Sequence, residues 1–235
     1  MGPRHELRGL DRPQGGKDDD GLMWVIGLDL SGPSNTADTY LVVLEERGAE
    51  IHFVKDLEGA NDRDIFRTVS DLGKNEPIII GMDAPLSYNP GGGDRESDKE
   101  LRQLVSKKGN VGIMPPTMNR MVYLTLRGIV LARMLETLKP DIDLRIVEVH
   151  PGASMLLRNA PANEVASFKR NISARSQLLT WLETQGLKGI SRTEDVPDHY
   201  VAACAAALGA WQWSLGKSAW VFPARPPEHS YDFAG

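Results

Sequence analysis

Val25-Ile26-Gly27-Leu28-Asp29 is a short apolar run that ends in a carboxylate, and the same design recurs in Ile78-Ile79-Ile80-Gly81-Met82-Asp83 and Leu144-Arg145-Ile146-Val147-Glu148. Runs this short and this rich in Ile and Val read as buried parallel strands. Acids at their carboxyl ends face the crevice where open α/β sheets bind ligands. Carboxylates held together repel one another and are costly to bury without a counter-charge. The three strand ends therefore predict a divalent-metal site on Asp29, Asp83 and Glu148, with chemistry on phosphates as the leading expectation.

Working outward from the first run, a turn at Gly32-Pro33-Ser34-Asn35 leads into Tyr40-Leu41-Val42-Val43-Leu44-Glu45. A break at Arg47-Gly48 then leads into Ile51-His52-Phe53-Val54, which completes a three-stranded meander. Ile65, Phe66, Val69 and Leu72 repeat at helical spacing before the Ile78 run. Residues 87–117, with Gly91-Gly92-Gly93 and Pro115-Pro116, predict a long excursion holding one short helix around 98–105. The strongest helix signal is Met121 to Lys139, with Met121, Leu124, Gly128, Leu131 and Leu135 on one stripe and Pro140 past its end. A loop is expected from Gly152 to Asn163, then helices over 173–184 and 196–215. This order predicts an α/β fold of the ribonuclease-H-like kind, a five-stranded mixed sheet flanked by helices.

At 235 residues and 41% hydrophobic, the chain can bury a full core, and nothing marks a second domain. The expected organisation is a disordered tail over 1–22, one domain over 23–224 and a loose tail over 225–235. The net charge of −5 argues against a general nucleic-acid coat but leaves room for a local basic patch. The single cysteine, Cys204, sits in an alanine-rich run and reads as a buried packing residue, which fits a reducing cytoplasm. No apolar run approaches the roughly 20 residues that span a bilayer, so no membrane association is expected. Tryptophans at 211, 213 and 220 read as helix–sheet packing, with a homodimer surface as the next option.

The series Gly27-Leu28-Asp29-Leu30-Ser31-Gly32, Met82-Asp83-Ala84-Pro85-Leu86, Arg95 to Asp98 with Leu101-Arg102, Pro115-Pro116, Leu124-Thr125-Leu126-Arg127-Gly128, Val147-Glu148-Val149-His150-Pro151 and Ala205 to Leu208 resembles the DUF429 family over roughly residues 24–211. That family is regarded as predicted nucleases of the ribonuclease-H-like superfamily. The resemblance implies a phosphodiester hydrolase acting on nucleic acid, with Asp29, Asp83 and Glu148 holding Mg²⁺ or Mn²⁺ ions about 4 Å apart, one activating water and one stabilising the leaving oxygen. It also implies a carboxylate from the last helix, where family members show a His-x-x-Asp-Ala pattern. Here the aligned residues are His199-Tyr200-Val201-Ala202-Ala203, so Ala202 stands where that aspartate is expected. Asp198, one turn earlier on the same face, is the candidate fourth acid, and with Asp195 as N-cap it is also a natural first-turn residue.

Phosphate oxygens would be gripped by Arg127, Arg102, Arg95 and Lys169, with Arg120 nearby, because Arg offers bidentate geometry; each could equally pair with a neighbouring acid. His150, after Glu148, is a candidate proton shuttle or a structural histidine. Two other function classes stay open. A catalytically inactive module that binds nucleic acid or protein gains weight from Ala202. An actin-like nucleotide-binding protein would use the Asp29 turn and Gly91-Gly92-Gly93 as phosphate loops, but such proteins need two domains of this kind.

Overall fold

A computed structural model of the chain describes residues 22–109, 121–191 and 196–235. Its centre is β1 (Trp24–Asp29), which pairs antiparallel with β2 (Tyr40–Arg47) on one side and parallel with β4 (Ile78–Asp83) on the other. Beyond β2 lies β3 (Glu50–Glu58), antiparallel; beyond β4 lies β5 (Leu144–Val149), parallel. The meander and the three acid-terminated strands are thus where the hydrophobic pattern places them.

Among the described residues, the expected count of five strands is corrected to eight. Three two-residue strands extend the edges: β6 (Leu187–Lys188) beside β3, β8 (Phe233–Ala234) beside β5, and β7 (Val221–Phe222) beside β8. The order across the sheet is β6-β3-β2-β1-β4-β5-β8-β7. Two paired residues carry no periodicity, so only the tertiary partner makes such segments strands. Residues 225–235 are accordingly no loose tail. Tyr231, Phe233 and Ala234 are buried, and Trp213 Nε1 donates to Asp232 at 2.8 Å.

Helices cover both faces. On one lie α1 (Asp62–Leu72) and α3 (Val122–Glu136), packing Ile65, Val69, Leu131 and Leu135 onto Ile26, Leu28, Ile80 and Ile146. Asn61 starts α1 by accepting from the backbone N–H groups of Arg63 and Asp64, the ordinary N-cap arrangement. The predicted excursion holds α2 (Glu96–Val105). The loop expected after β5 is instead α4 (Pro151–Leu157) and α5 (Ala162–Ser167), followed by α6 (Ile172–Thr184). His150 caps α4, its Nδ1 accepting from Ala153 N–H at 3.1 Å, which gives that histidine a structural task. The Pro115-Pro116 motif, Arg120, Asp195 and residues 1–21 lie outside the described residues.

The opposite face belongs to α7 (Asp198–Ser214), whose residues from Tyr200 to Trp211 are all buried. Gly27 and Gly81 are partners across β1 and β4 and form a flat patch under this helix. A Cβ on Gly27 would overlap the Ala203 carbonyl oxygen and lie 2.7 Å from Ala207 N; one on Gly81 would overlap the Ala206 carbonyl and lie 2.9 Å from Ala210 Cβ. Alanines on the helix and glycines on the strands let two backbones touch, a contact that wider side chains would prop apart. Cys204, fully buried within it, packs as expected. We predict that Gly27→Ala destabilises the protein by at least about 3 kcal/mol in urea unfolding, the upper range of overpacking costs, because backbone must move to admit the methyl group. A loss under about 1 kcal/mol would mean that α7 slides freely on the sheet.

Candidate functional site

Side chains along a strand alternate between faces, so Asp29 points to the same face as Gly27 and Asp83 to the same face as Gly81. Both therefore emerge beneath the first turn of α7. Asp29 and Asp83 are register partners, and their carboxyl groups are close enough to share a hydrogen bond. His199, one turn before Ala203, stands over Asp29 with Nδ1 at 2.7 Å from Asp29 Oδ2 and Nε2 at 4.0 Å from Asp38 Oδ2.

The charges of this cluster follow from its burial. Asp83 is held well above the ordinary carboxylate range, first by desolvation and then by repulsion from Asp29, with the hydrogen bond to Asp29 acting in the same direction. Lys169, in the loop after α5, opposes this by directing positive charge at Asp83. The hydrogen bond to Asp29 raises the pKa of His199 against the opposing effect of burial. Asp29 is thus the common acceptor, taking a proton-mediated contact from Asp83 on one side and an N–H from His199 on the other.

The other predicted site residues are placed elsewhere. Glu148 pairs with Met82, not Asp83, so it projects to the face opposite the aspartates. There, 3% exposed, it accepts from Arg95 Nη1 at 2.9 Å, Arg95 Nη2 at 2.6 Å and Leu86 N–H at 2.9 Å. Its oxygens are spent on an internal ion pair, and the expected three-acid cluster is reduced to two. Arg95 is held further by Asp98 at 2.7 Å, so it is part of the frame and not a phosphate grip. Arg127 is likewise enclosed, donating to Asp62 Oδ1 and Ser31 O at 2.8 Å, Thr39 Oγ1 at 2.7 Å and Ala60 O at 3.2 Å. It ties the turn after β1 to the starts of β2 and α1. Arg102 pairs with Asp94 at 2.6 Å. Asp198 begins α7 with Pro197 as N-cap and lies 4.0 Å from Arg175, flanking His199 and not reaching the pair. Of the four predicted phosphate-binding residues, Lys169 is the one whose charge reaches the aspartates.

Residues 27–228, most of the chain, match the model of a family described as protein of unknown function, DUF429. The chain belongs to the DUF429 family. No curated protein matches it, so within DUF429 this site is argued from geometry alone. Among the described residues no three His, Cys, Asp or Glu side chains converge as a ready-made metal cage. Two adjacent carboxylates still suit one hydrated Mg²⁺ or Mn²⁺, which keeps most of its water and takes further oxygens from substrate phosphate. Among the described residues no helix is long and apolar enough to cross a membrane.

In this DUF429 chain the sequence reading underweighted His199 and missed the Arg95–Glu148 pair. One signal was available for the acids. Gly27-Leu28-Asp29 and Gly81-Met82-Asp83 share a Gly-x-Asp pattern, whereas Glu148 follows Val147, one step out of phase with the face that α7 covers.

Two outcomes are expected. Folding raises the Asp83 pKa, so the native state binds a proton that the unfolded chain releases above about pH 3.9, and stability falls as pH rises from there through the native pKa. Asp83→Asn cannot charge; in EDTA at pH 8 it should melt at a higher temperature than wild type, with the gain vanishing towards pH 4. Equal melting temperatures at pH 8 would remove the claimed repulsion. Glu148→Gln should cost about 3 kcal/mol in urea unfolding, since it leaves the buried Arg95 guanidinium under-compensated. Unchanged stability would return Glu148 to the list of free acids.

Proposed function

We propose that the protein is a divalent-metal-dependent phosphodiester hydrolase of ribonuclease-H-like fold, with Asp29 and Asp83 as the metal-holding pair. The observation that carries this reading is the register pair itself. Two carboxylates are forced together at the ends of adjacent parallel strands, and burial and its neighbour hold the pKa of one of them well above the ordinary range. Such a pair is costly as it stands and is relieved by a cation. The order β3-β2-β1-β4-β5, with the meander first and a helix closing over β1 and β4, supports the fold assignment.

A cation bound there supplies Lewis acidity toward a phosphoryl oxygen and lowers the pKa of bound water. The protein's own groups do the rest. Asp29 and Asp83 would hold the cation through their carboxylate oxygens. His199, oriented through Nδ1 by Asp29 and with Nε2 toward Asp38, is the group placed to take or give a proton beside the pair. Lys169 adds a positive charge on the Asp83 side, suited to a phosphate oxygen.

A second reading, an inactive binding module, is favoured by Ala202. His199 stands one turn before Ala203 over β1, so Ala202, one turn before Ala206, falls on the Asp83 side of α7, where a third carboxylate would be in place. The deciding experiment follows free Mn²⁺ by electron paramagnetic resonance for wild type, Asp29→Asn and Ala202→Asp, together with hydrolysis of single-stranded, duplex and branched oligonucleotides. Millimolar or tighter binding that disappears in Asp29→Asn, tightens in Ala202→Asp and accompanies cleavage is expected. Metal binding without cleavage of any substrate would favour the inactive module. Equal Mn²⁺ uptake by wild type and Asp29→Asn would end the site assignment.

A further inference from the structure

On the far side of the sheet end, away from the aspartate pair, a hydroxyl is coupled to a base at the wall of a cavity. Ser87 Oγ lies 2.8 Å from His229 Nδ1 and accepts from Arg95 Nη1 at 3.0 Å. Ser87, Arg95 and His229 are all buried, and Glu148 and Asp98 fix the guanidinium. With Arg95 donating to one lone pair of Ser87 Oγ, the hydroxyl proton is free to be given to His229 Nδ1 when the imidazole is the Nε2–H tautomer. The imidazole then carries its own proton on Nε2, and that buried nitrogen has no hydrogen-bond partner among the described residues. A buried, unsatisfied N–H costs free energy, and here the ring, packed edge-on against Phe222, is hydrogen-bonded through the serine. Ser87 also lines a cavity of about 260 Å³ with Leu86, Tyr88, Ile129, Arg133 and Ser230. A hydroxyl that donates to a neutral imidazole while accepting from a guanidinium is polarised towards the alkoxide, the condition for a nucleophilic serine.

We propose that Ser87 is a second reactive centre, activated by His229, that takes small esters with an apolar acyl or aryl group. The cavity is below the roughly 300 Å³ of drug-sized sites, so it suits a single ring or a short chain. Ser87 Oγ attacks the carbonyl carbon as its proton moves to His229 Nδ1. The bond to the alcohol oxygen breaks as that proton passes to it, leaving acyl-Ser87 and free alcohol. Water then adds to the acyl carbon, its proton returns through His229 to Ser87 Oγ, and the acid departs. Ester and water are consumed, acid and alcohol are formed, and no metal enters.

The test treats the full chain, in EDTA, with an alkyl fluorophosphonate and locates the adduct by mass spectrometry. In this reaction an Oγ–P bond forms, fluoride leaves and His229 takes the proton. The expected result is modification of Ser87 in the native protein, none in Ser87→Ala, and a rate about 100-fold lower in His229→Gln, the smaller end of general-base contributions. Should His229→Gln fail to fold, wild type alone decides, because native protein must label at least about 100-fold faster than the same protein in concentrated urea. Ser87 left unmodified, labelled no faster when native than when unfolded, or labelled equally in a folded His229→Gln variant would overturn the proposal.

Discussion

The contact between the backbone of α7 and the glycine pair Gly27–Gly81 is the constraint from which the rest of the molecule follows. A helix of 17 residues is about 25 Å long, and this one lies with its carbonyl groups against bare strand backbone instead of on a cushion of side chains. That closeness needs small residues on both surfaces, which explains the alanine run from Ala202 to Ala207 and the two strand glycines at once. It also fixes what comes next along each chain. Two residues past each glycine the strand must present a side chain to the same face, and one turn before Ala203 the helix must present His199 to it. The site is thus a by-product of register: Asp29, Asp83 and His199 meet because the helix cannot sit anywhere else.

Around that axis the arginines serve as joints. Arg127 bonds acceptors after β1, just before β2 and after β3, and also pairs with Asp62, so the turn that follows Asp29 is held by a buried guanidinium where a longer loop would drift. Arg95 does the same on the other face, linking β5 through Glu148 to the start of α2 through Asp98. Arg175 joins the loop carrying Lys169 to the first turn of α7 by donating to Phe168 O and Val196 O. A planar fork with five donors satisfies several carbonyls at once, which a lysine cannot do. The buried guanidinium groups of Arg95 and Arg127 are therefore spent on architecture.

Much of the architecture was legible in the sequence. Apolar runs of Ile and Val fixed the five long strands, and helical spacing fixed α1, α3, α6 and α7 to within a few residues. What escaped has a physical cause in each case. Strands β6, β7 and β8 exist only because a neighbour offers its edge, and α4 begins at His150-Pro151 without an amphipathic repeat to announce it. The candidate site was half legible. Asp29 and Asp83 could be named from their strand ends, but Glu148 looked equivalent because a strand buried on both faces hides which way each side chain points. The partners of Arg95 and Arg127 lie 53 and 65 residues away in the chain, and no local pattern encodes such pairings.

The three acid-terminated strands finally show how a carboxylate at the end of a buried strand is made tolerable, and the answers differ. Glu148 is neutralised by two bonds from one guanidinium and by a third from the Leu86 N–H, a closed arrangement in which both oxygens are satisfied. Asp83 has no such partner: burial and the neighbouring Asp29 hold its pKa well above the ordinary carboxylate range, so it favours the neutral form. Asp29 sits between, accepting from Asp83 and from His199, so that removing either proton alters its charge balance directly. A fold selected for stability alone would have given all three strand ends the Glu148 solution, because a permanent internal partner is independent of pH and of metal. That two adjacent strands keep the exchangeable solution, on the one face where α7 delivers a histidine, is the physical reason for placing chemistry at Asp29 and Asp83 and architecture at Glu148.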